Sequence, residues 1–408
     1  MRLKVLLLSN SIELRGGDLI AGSNTKLLMN LAPELAKEHE LAILSPGEDE
    51  RVSCRYEGIP VHFAPMRVKG RLKELCYRIL ARLKDKNGCS DWIQARLMHD
   101  AAKKLRSGGF KFDAVIATME PFSSAYAASG LKGCQKILYI MDPPAFLVGG
   151  AAATRFRRKS LEGILRRFDM IITTPFIKKA LAVNGYEKYA GKMTAAGFPM
   201  IRDSEQSPGE NGIAEGMPPM EKDRINVLFC GWLYSDIRSP KYFLDIAKRL
   251  DRRFNIIFMG KECEKLGERF DISTEADITA VGQQPHSTAL SAMANADILV
   301  NIGNSVPIHM PSKTLEYINT GKPIVNIYKL PDCPTLHYTK KYPLCLNLYE
   351  GDADIDAAAG RFTAFCIENK GKTAERSGIL AAFEECTPKY IAEKMLRNPD
   401  ERQGKRHG

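Results

Sequence analysis

The chain has 408 residues, of which 44% are hydrophobic and 26% charged, and a formal net charge of +11. At about 100 to 200 residues per domain the length predicts two domains, and the balanced composition excludes a disordered or fibrous chain. No uncharged stretch approaches the roughly 20 apolar residues of a membrane span, and the run Val5 to Leu8 is too short for the core of a signal peptide.

In chain order, Leu3 to Leu8 reads as a first buried strand and Asn24 to Ala36 as a helix with an apolar stripe. Leu41 to Ser45, Ala114 to Thr118, Lys136 to Ile140 and Met170 to Thr173 are further strands, each bounded by turn-forming residues. The segment Pro199 to Asp223 is polar and rich in turn formers, including Pro208, Gly209, Gly212, Pro218 and Pro219, and the linker is placed at 203–223. A second series follows: strand Asn226 to Cys230, helix Pro240 to Leu250, strands Phe254 to Met259 and Ile278 to Gly282, helix His286 to Asn295, strand Asp297 to Ile302, a helix opened by Pro311, and strand Pro323 to Tyr328. Strands alternating with helices predict mostly parallel sheets, hence an α/β chain of two Rossmann-like domains, 1–202 and 224–386, with a C-terminal helix and basic tail at 387–408. Ligands of such sheets bind at the carboxyl ends of the strands, and two such edges facing each other would make an interdomain cleft.

The ten cysteines are scattered, with no close pair at metal-ligand spacing, which predicts reduced thiols in a cytoplasmic protein. Residues 66–106 carry twelve Lys or Arg against four acids, and a second basic cluster spans Arg155 to Arg167. Within the first, Leu72, Leu75, Cys76, Ile79, Leu80 and Leu83 share one helical face, while Arg71, Lys73, Arg78, Arg82 and Lys84 cover the rest. Such a helix either docks on its own domain or meets an anionic membrane surface, where each basic residue contributes about 1 kcal/mol. Aromatic residues are not interleaved with these charges, so no specific nucleic acid is expected.

The most informative stretch is Asn301-Ile302-Gly303-Asn304, then Pro311-Ser312-Lys313-Thr314-Leu315-Glu316-Tyr317, then Gly321-Lys322-Pro323-Ile324. A strand ends and a helix begins there. Proline suits the first helical position, the free N–H groups of that turn attract anions, and Lys313 adds a full positive charge. Glu316, one turn further in, is placed to accept hydrogen bonds from hydroxyls beyond a diphosphate. Without those flanks the same two residues would read as a solvated i, i+3 pair.

Pro-Ser-Lys-Thr-Leu-Glu-Tyr followed by Gly-Lys-Pro-Ile resembles the donor-site helix of the retaining GT-B glycosyltransferases related to glycogen synthase. Val281-Gly282-Gln283-Gln284-Pro285 and Ala296-Asp297-Ile298-Leu299-Val300 are similar to that family's approach to the helix, and the resemblance spans nearly the whole chain. It implies that Lys313 contacts a diphosphate and Glu316 a ribose. It implies donor-binding roles for Gly231, Gln283, Pro311 and Ser312 as well, while Asn304 and His309 are the donor-site candidates where the chain departs from the family pattern. The family's second glutamate, eight residues before the first, is Ile308 here, so the sugar is left open. The arginine that often follows the family's loop glycine is Trp232, and Arg238 is the replacement able to grip a diphosphate in bidentate fashion.

In the first domain Gly16 and Gly17 lie between the first strand and first helix without Gly-x-Gly-x-x-Gly spacing. They are assigned to an acceptor-side loop rather than a nicotinamide site. Asp142, where a strand should end before Pro143 and Pro144, is the candidate catalytic carboxylate beside Arg238 and Lys313. Asp352, Asp354 and Asp356 imitate a metal-binding Asp-x-Asp but lie late in the chain and read as a loop or helix start. The expected activity is metal-independent transfer of a sugar from a nucleoside-diphosphate sugar to a glycan or lipid-linked saccharide, without a cofactor beyond that co-substrate. The expected location is the cytoplasm, peripheral on the inner membrane face. A nucleotide-sugar 2-epimerase and a non-catalytic basic binding module are the competing readings.

Overall fold

The computed structural model describes residues 2–10, 12–15, 18–21, 23–48, 54–84, 89–119, 122–143, 155–203, 216–233 and 237–396. The chain divides into two units, Met1–Pro199 with Glu385–Gly408, and Met200–Glu384. Residues 204–215, most of the expected linker, lie outside the described residues, as do Gly16 and Gly17.

The first unit runs β1 (Lys4–Leu8), β2 (Ile12–Arg15), β3 (Asp18–Ala21), α1 (Ser23–Glu38), β4 (Glu40–Gly47), β5 (Cys54–Tyr56), β6 (Ile59–Pro65), α2 (Arg71–Lys84) and α3 (Cys89–Ser107). It continues through β7 (Ala114–Thr118), α4 (Ser123–Ser129), β8 (Gln135–Ile140), α5 (Arg155–Arg167), β9 (Met170–Thr173), α6 (Pro175–Leu181) and β10 (Met193–Ala195). Its described strands form an eight-stranded sheet in the order β10-β9-β8-β7-β1-β4-β6-β5, parallel except for the β5–β6 pair, with β2 and β3 as a separate antiparallel ribbon. Strands buried on both faces must be apolar throughout, and β7 reads Ala-Val-Ile-Ala-Thr with every residue buried. The C-terminal helix expected within 387–408 is Pro388–Leu396; it packs against α1 and belongs to this unit.

Helix α2 docks differently from an ordinary surface helix. Tyr77 packs edge-on against Trp92 of α3 with ring centres 5.9 Å apart, its hydroxyl donates to Asp100 at 3.3 Å, and Ala81 one turn on is fully buried. Leu72, Leu75 and Ile79 are on the opposite side and are exposed.

The second unit runs β11 (Ile225–Cys230), α7 (Lys241–Ala247), β12 (Phe254–Met259), α8 (Leu266–Arg269), β13 (Asp277–Val281), α9 (His286–Asn295), β14 (Ile298–Ile302) and α10 (Lys313–Thr320). Then come β15 (Ile324–Tyr328), α11 (Pro334–Thr339), β16 (Cys345–Tyr349), α12 (Ile355–Asn369) and α13 (Arg376–Ala382). The sheet is fully parallel, in the order β13-β12-β11-β14-β15-β16. Its core is aromatic: Phe243 packs on Phe258 at 5.6 Å and on Phe362 at 5.7 Å, tying α7 to β12 and α12.

Polar residues in these apolar strands are paired across the sheet. Asn301, Asn326 and Asn347 share one register position on β14, β15 and β16. The Asn301 amide donates to Asn326 at 2.7 Å and the Asn326 amide to Asn347 at 2.8 Å. Each side chain thereby supplies its neighbour's missing partner, which is what permits amides inside a sheet.

The three aspartates after β16 are accounted for locally. Asp354 caps α12 by accepting from Ala357 N–H at 2.9 Å, Asp352 pairs with Arg361 at 3.1 Å, and Asp356 pairs with Arg249 at 2.9 Å. The stretch is a loop leading into a helix start, within the reading of a loop or helix start.

Candidate functional site

In the second unit the loops after β11 and β14 and the start of α10 converge at the carboxyl edge of the sheet. Gly231 follows β11 and Gly260 follows β12. Gly260 adopts φ 136°, and a Cβ there would stand 1.9 Å from the Gly231 carbonyl oxygen, so only glycine permits this approach. Trp232 is held under the Lys261 ammonium, 3.9 Å from its ring centre. Tyr234, Ser235 and Asp236 lie outside the described residues; from Ile237 the loop is pinned to the β14 loop by the Ser305 N–H donating to the Ile237 carbonyl at 2.9 Å.

Arg238 is buried, and its guanidinium donates through Nε and a terminal nitrogen to Asn304 Oδ1 at 3.1 and 2.9 Å, and to the Trp232 carbonyl at 3.3 Å. These donors fix which end of the Asn304 amide is oxygen. The Asn304 nitrogen therefore faces His309, 2.7 Å from Nδ1 and 3.2 Å from the His309 carbonyl. Since an amide N–H can only donate, Nδ1 accepts and the neutral ring carries its proton on Nε2. Arg238, Asn304 and His309, three of the residues singled out in the sequence, form one chain of hydrogen bonds.

Helix α10 begins at Lys313 with Ser312 as its cap, two residues later than a helix opened by Pro311. The cause is a tight first turn: Thr314 N–H donates to the Pro311 carbonyl at 3.1 Å, an i→i+3 bond, before Glu316 N–H makes an i→i+4 bond to Ser312 at 3.2 Å. At the far end Gly321, with φ 76°, closes the helix as a left-handed cap.

Lys313 and Glu316 form an ion pair within that first turn, with Lys313 24% exposed and Glu316 10%. Burial pulls the Lys313 pKa down, but the Glu316 carboxylate paired with it outweighs that effect and holds the ammonium above its ordinary value. Tyr317 locks the helix to β11: its hydroxyl accepts from Cys230 N–H at 2.8 Å and donates to the Cys230 carbonyl at 3.0 Å. Burial drives the Tyr317 pKa far up, so the hydroxyl stays protonated. Thr314, fully buried, donates to Asn301 at 3.3 Å and ties α10 to the asparagine ladder.

Gln283, after the edge strand β13, is exposed and stands apart from this cluster; Ile308 is half-buried in the β14 loop. Sequence reasoning overlooked Gly260, Thr314 and the ladder. Three isolated asparagines at matched places in apolar strands were the available signal.

In the first unit, Asp142 follows β8 at the carboxyl edge of its sheet and is partly exposed. At the same edge a cavity of about 710 Å³ is lined by Asn10, Met66, Arg67, Glu74, Arg78 and Ser123, among others. Asn10 is rigidly placed: its oxygen accepts from Ser123 Oγ at 2.7 Å and Ser124 N–H at 3.0 Å, and its nitrogen donates to Thr118 Oγ1 at 3.0 Å. Among the described residues no three His, Cys, Asp or Glu side chains converge as a metal site would require, and no helix is long and apolar enough to cross a membrane.

Among solved structures the chain is similar to sucrose-phosphate synthase from Thermosynechococcus elongatus, with 14% identity over 97% of each chain and a TM-score of 0.63. It is also similar to Anabaena Alr3699/HepE in complex with UDP and glucose, with 14% identity over 97% of this chain and 95% of that one and a TM-score of 0.57. A glycosyltransferase from Rickettsia africae aligns at 12% identity over 97% of this chain and 99% of that one, with a TM-score of 0.60. The fold is GT-B. Neither protein-family models nor curated proteins give a match. In GT-B terms, Lys313, Glu316, Arg238, Asn304 and His309 all belong to the second Rossmann-like unit, and Asp142 and Asn10 to the first.

Proposed function

We propose that this protein transfers a sugar from a nucleoside-diphosphate sugar to a glycan or lipid-linked saccharide, with retention of configuration as the sequence resemblance implies. The observation that carries the reading is the convergence of Lys313, Glu316 and the Arg238–Asn304–His309 chain at one carboxyl sheet edge. A cation in the first turn of a helix and a guanidinium from the neighbouring loop suit a diphosphate, and the Glu316 carboxylate suits ribose hydroxyls. The complexes of HepE with UDP and with UDP-glucose support a uridine nucleotide as the first donor to try.

In this mechanism Arg238 and Lys313 stabilise the negative charge that grows on the leaving diphosphate as the glycosidic bond to it breaks, an oxyanion-type contribution. His309, neutral with its proton on Nε2, would offer a hydrogen-bond donor to the sugar. The acceptor would occupy the first-unit cavity, where Asn10 and Ser123 offer hydroxyl-binding groups and Arg67 and Arg78 favour an anionic acceptor.

The test is release of nucleoside diphosphate from UDP- and GDP-sugars, measured with and without a lipid-linked saccharide extract. The proposal expects release that depends on the extract and a labelled sugar recovered in the lipid fraction. Isomerised nucleotide sugar formed without any acceptor would replace it with the epimerase reading.

A further inference from the structure

We infer that α2 is a membrane-docking helix whose leucine face enters an anionic leaflet while its basic flanks hold lipid phosphates. The inference goes beyond the transferase reading and stands without it.

The decisive observation is which face of α2 packs. A helix with six apolar residues on one side normally buries that side against its own domain. Here Tyr77 and Ala81 make the contact with the protein, and the leucine face points away: Leu72 is 82% exposed, Leu75 57% and Ile79 50%. Leu80, on the same face, is 42% exposed, so the apolar patch runs along the helix. These four are half of the large hydrophobic side chains that the described residues leave exposed, and a contiguous patch of this kind marks a binding surface.

Charge decides the occupant. Lys73 flanks the leucine face on one side, and Arg71, Arg78 and Arg82 flank it on the other, all four exposed. Two copies of this chain pairing through α2 about a two-fold axis would set these cations against each other. A nucleic acid would match the cations but offers nothing to the leucines. An anionic bilayer satisfies both, because phosphates lie at the level of the flanks and acyl chains at the level of the stripe. The first-unit cavity is bordered by Glu74 and Arg78 of the same helix and by Arg67, so docking through α2 would bring that cavity to headgroup level.

The full chain should be sedimented with vesicles of phosphatidylcholine alone and of phosphatidylcholine mixed with phosphatidylglycerol. Wild type should bind the anionic vesicles at least about tenfold more tightly, with affinity falling as salt rises. Leu72→Asp/Ile79→Asp and the milder Leu75→Gln/Ile79→Gln should both lose binding, as should Arg71→Glu/Lys73→Glu/Arg82→Glu. Because these side chains are exposed, the thermal transition and UDP affinity of each variant should match wild type, which separates failure of docking from failure of the donor site. Equal or absent binding to both vesicle types would overturn the inference, as would full binding by the leucine variants. A wild-type dimer that the leucine variants convert to monomer would assign the face to a second copy instead.

Discussion

The Tyr317 hydroxyl both accepts from the Cys230 N–H and donates to the Cys230 carbonyl, at 2.8 and 3.0 Å, so one side chain of α10 completes the end of β11. Lys313 lies one turn earlier on the same helix and Glu316 immediately before Tyr317, and the lock therefore sets where both side chains stand. Tyr317→Phe keeps the ring but strips both bonds from a buried backbone unit. The expected cost is about 1–3 kcal/mol of stability, read from chemical denaturation, with weaker nucleotide binding. Unchanged stability would mean that the Cys230 backbone finds other partners.

Arg238 should not tolerate lysine. The guanidinium spans Asn304 and the Trp232 carbonyl with fixed geometry, which an ammonium cannot reproduce. Arg238→Lys is expected to weaken UDP binding by at least about tenfold, or ~1.4 kcal/mol. Asn304→Leu should weaken it too without removing any charge, because Arg238 and His309 both lose their shared partner. Wild-type affinity in Asn304→Leu would show that Asn304 does not position Arg238.

The asparagine ladder predicts a pattern of non-additivity. Asn326→Leu leaves Asn301 and Asn347 facing an apolar side chain and should cost about 1–3 kcal/mol for each group left unpaired. Replacing Asn301 and Asn347 by leucine as well removes the stranded partners, so the triple variant should be more stable than the sum of the three single changes implies. Simple additivity measured by denaturation would contradict the ladder.

The alternation of elements was legible because these strands are buried on both faces: Ala114–Thr118, Met170–Thr173 and Phe254–Met259 have the bounds their apolar runs suggest. Strands β5, β6 and β16 were not foreseen, since polar and apolar residues mix in Cys54–Tyr56, Ile59–Pro65 and Cys345–Tyr349 and their pairing is set by tertiary contacts. Lys313 and Glu316 were legible from a local motif. The link from Arg238 through Asn304 to His309 joins two loops far apart in sequence, and no spacing encodes it. For α2 the periodicity revealed the amphipathic face but not its direction, because Tyr77 and Ala81 on the other side look unremarkable until α3 is seen against them.

Lys313 gives a pH prediction. Its folded pKa lies above its ordinary 10.5, so its stabilising contribution is complete below the unfolded value and is lost only as pH rises through the folded one. The stability gap between wild type and Lys313→Met should stay level from about pH 7 to 10 and narrow above that range. Narrowing that begins near neutral pH would mean that the ammonium is not held by Glu316.

Whether Lys313 and Glu316 hold a nucleotide is decided by a calorimetric titration of the full chain with UDP and GDP, repeated for Lys313→Ala and Glu316→Ala with folding checked by thermal denaturation. Wild type should bind one nucleotide selectively, and both folded variants should lose that binding. Binding of neither nucleotide by wild type, or undiminished binding by the variants, would contradict the donor-site reading.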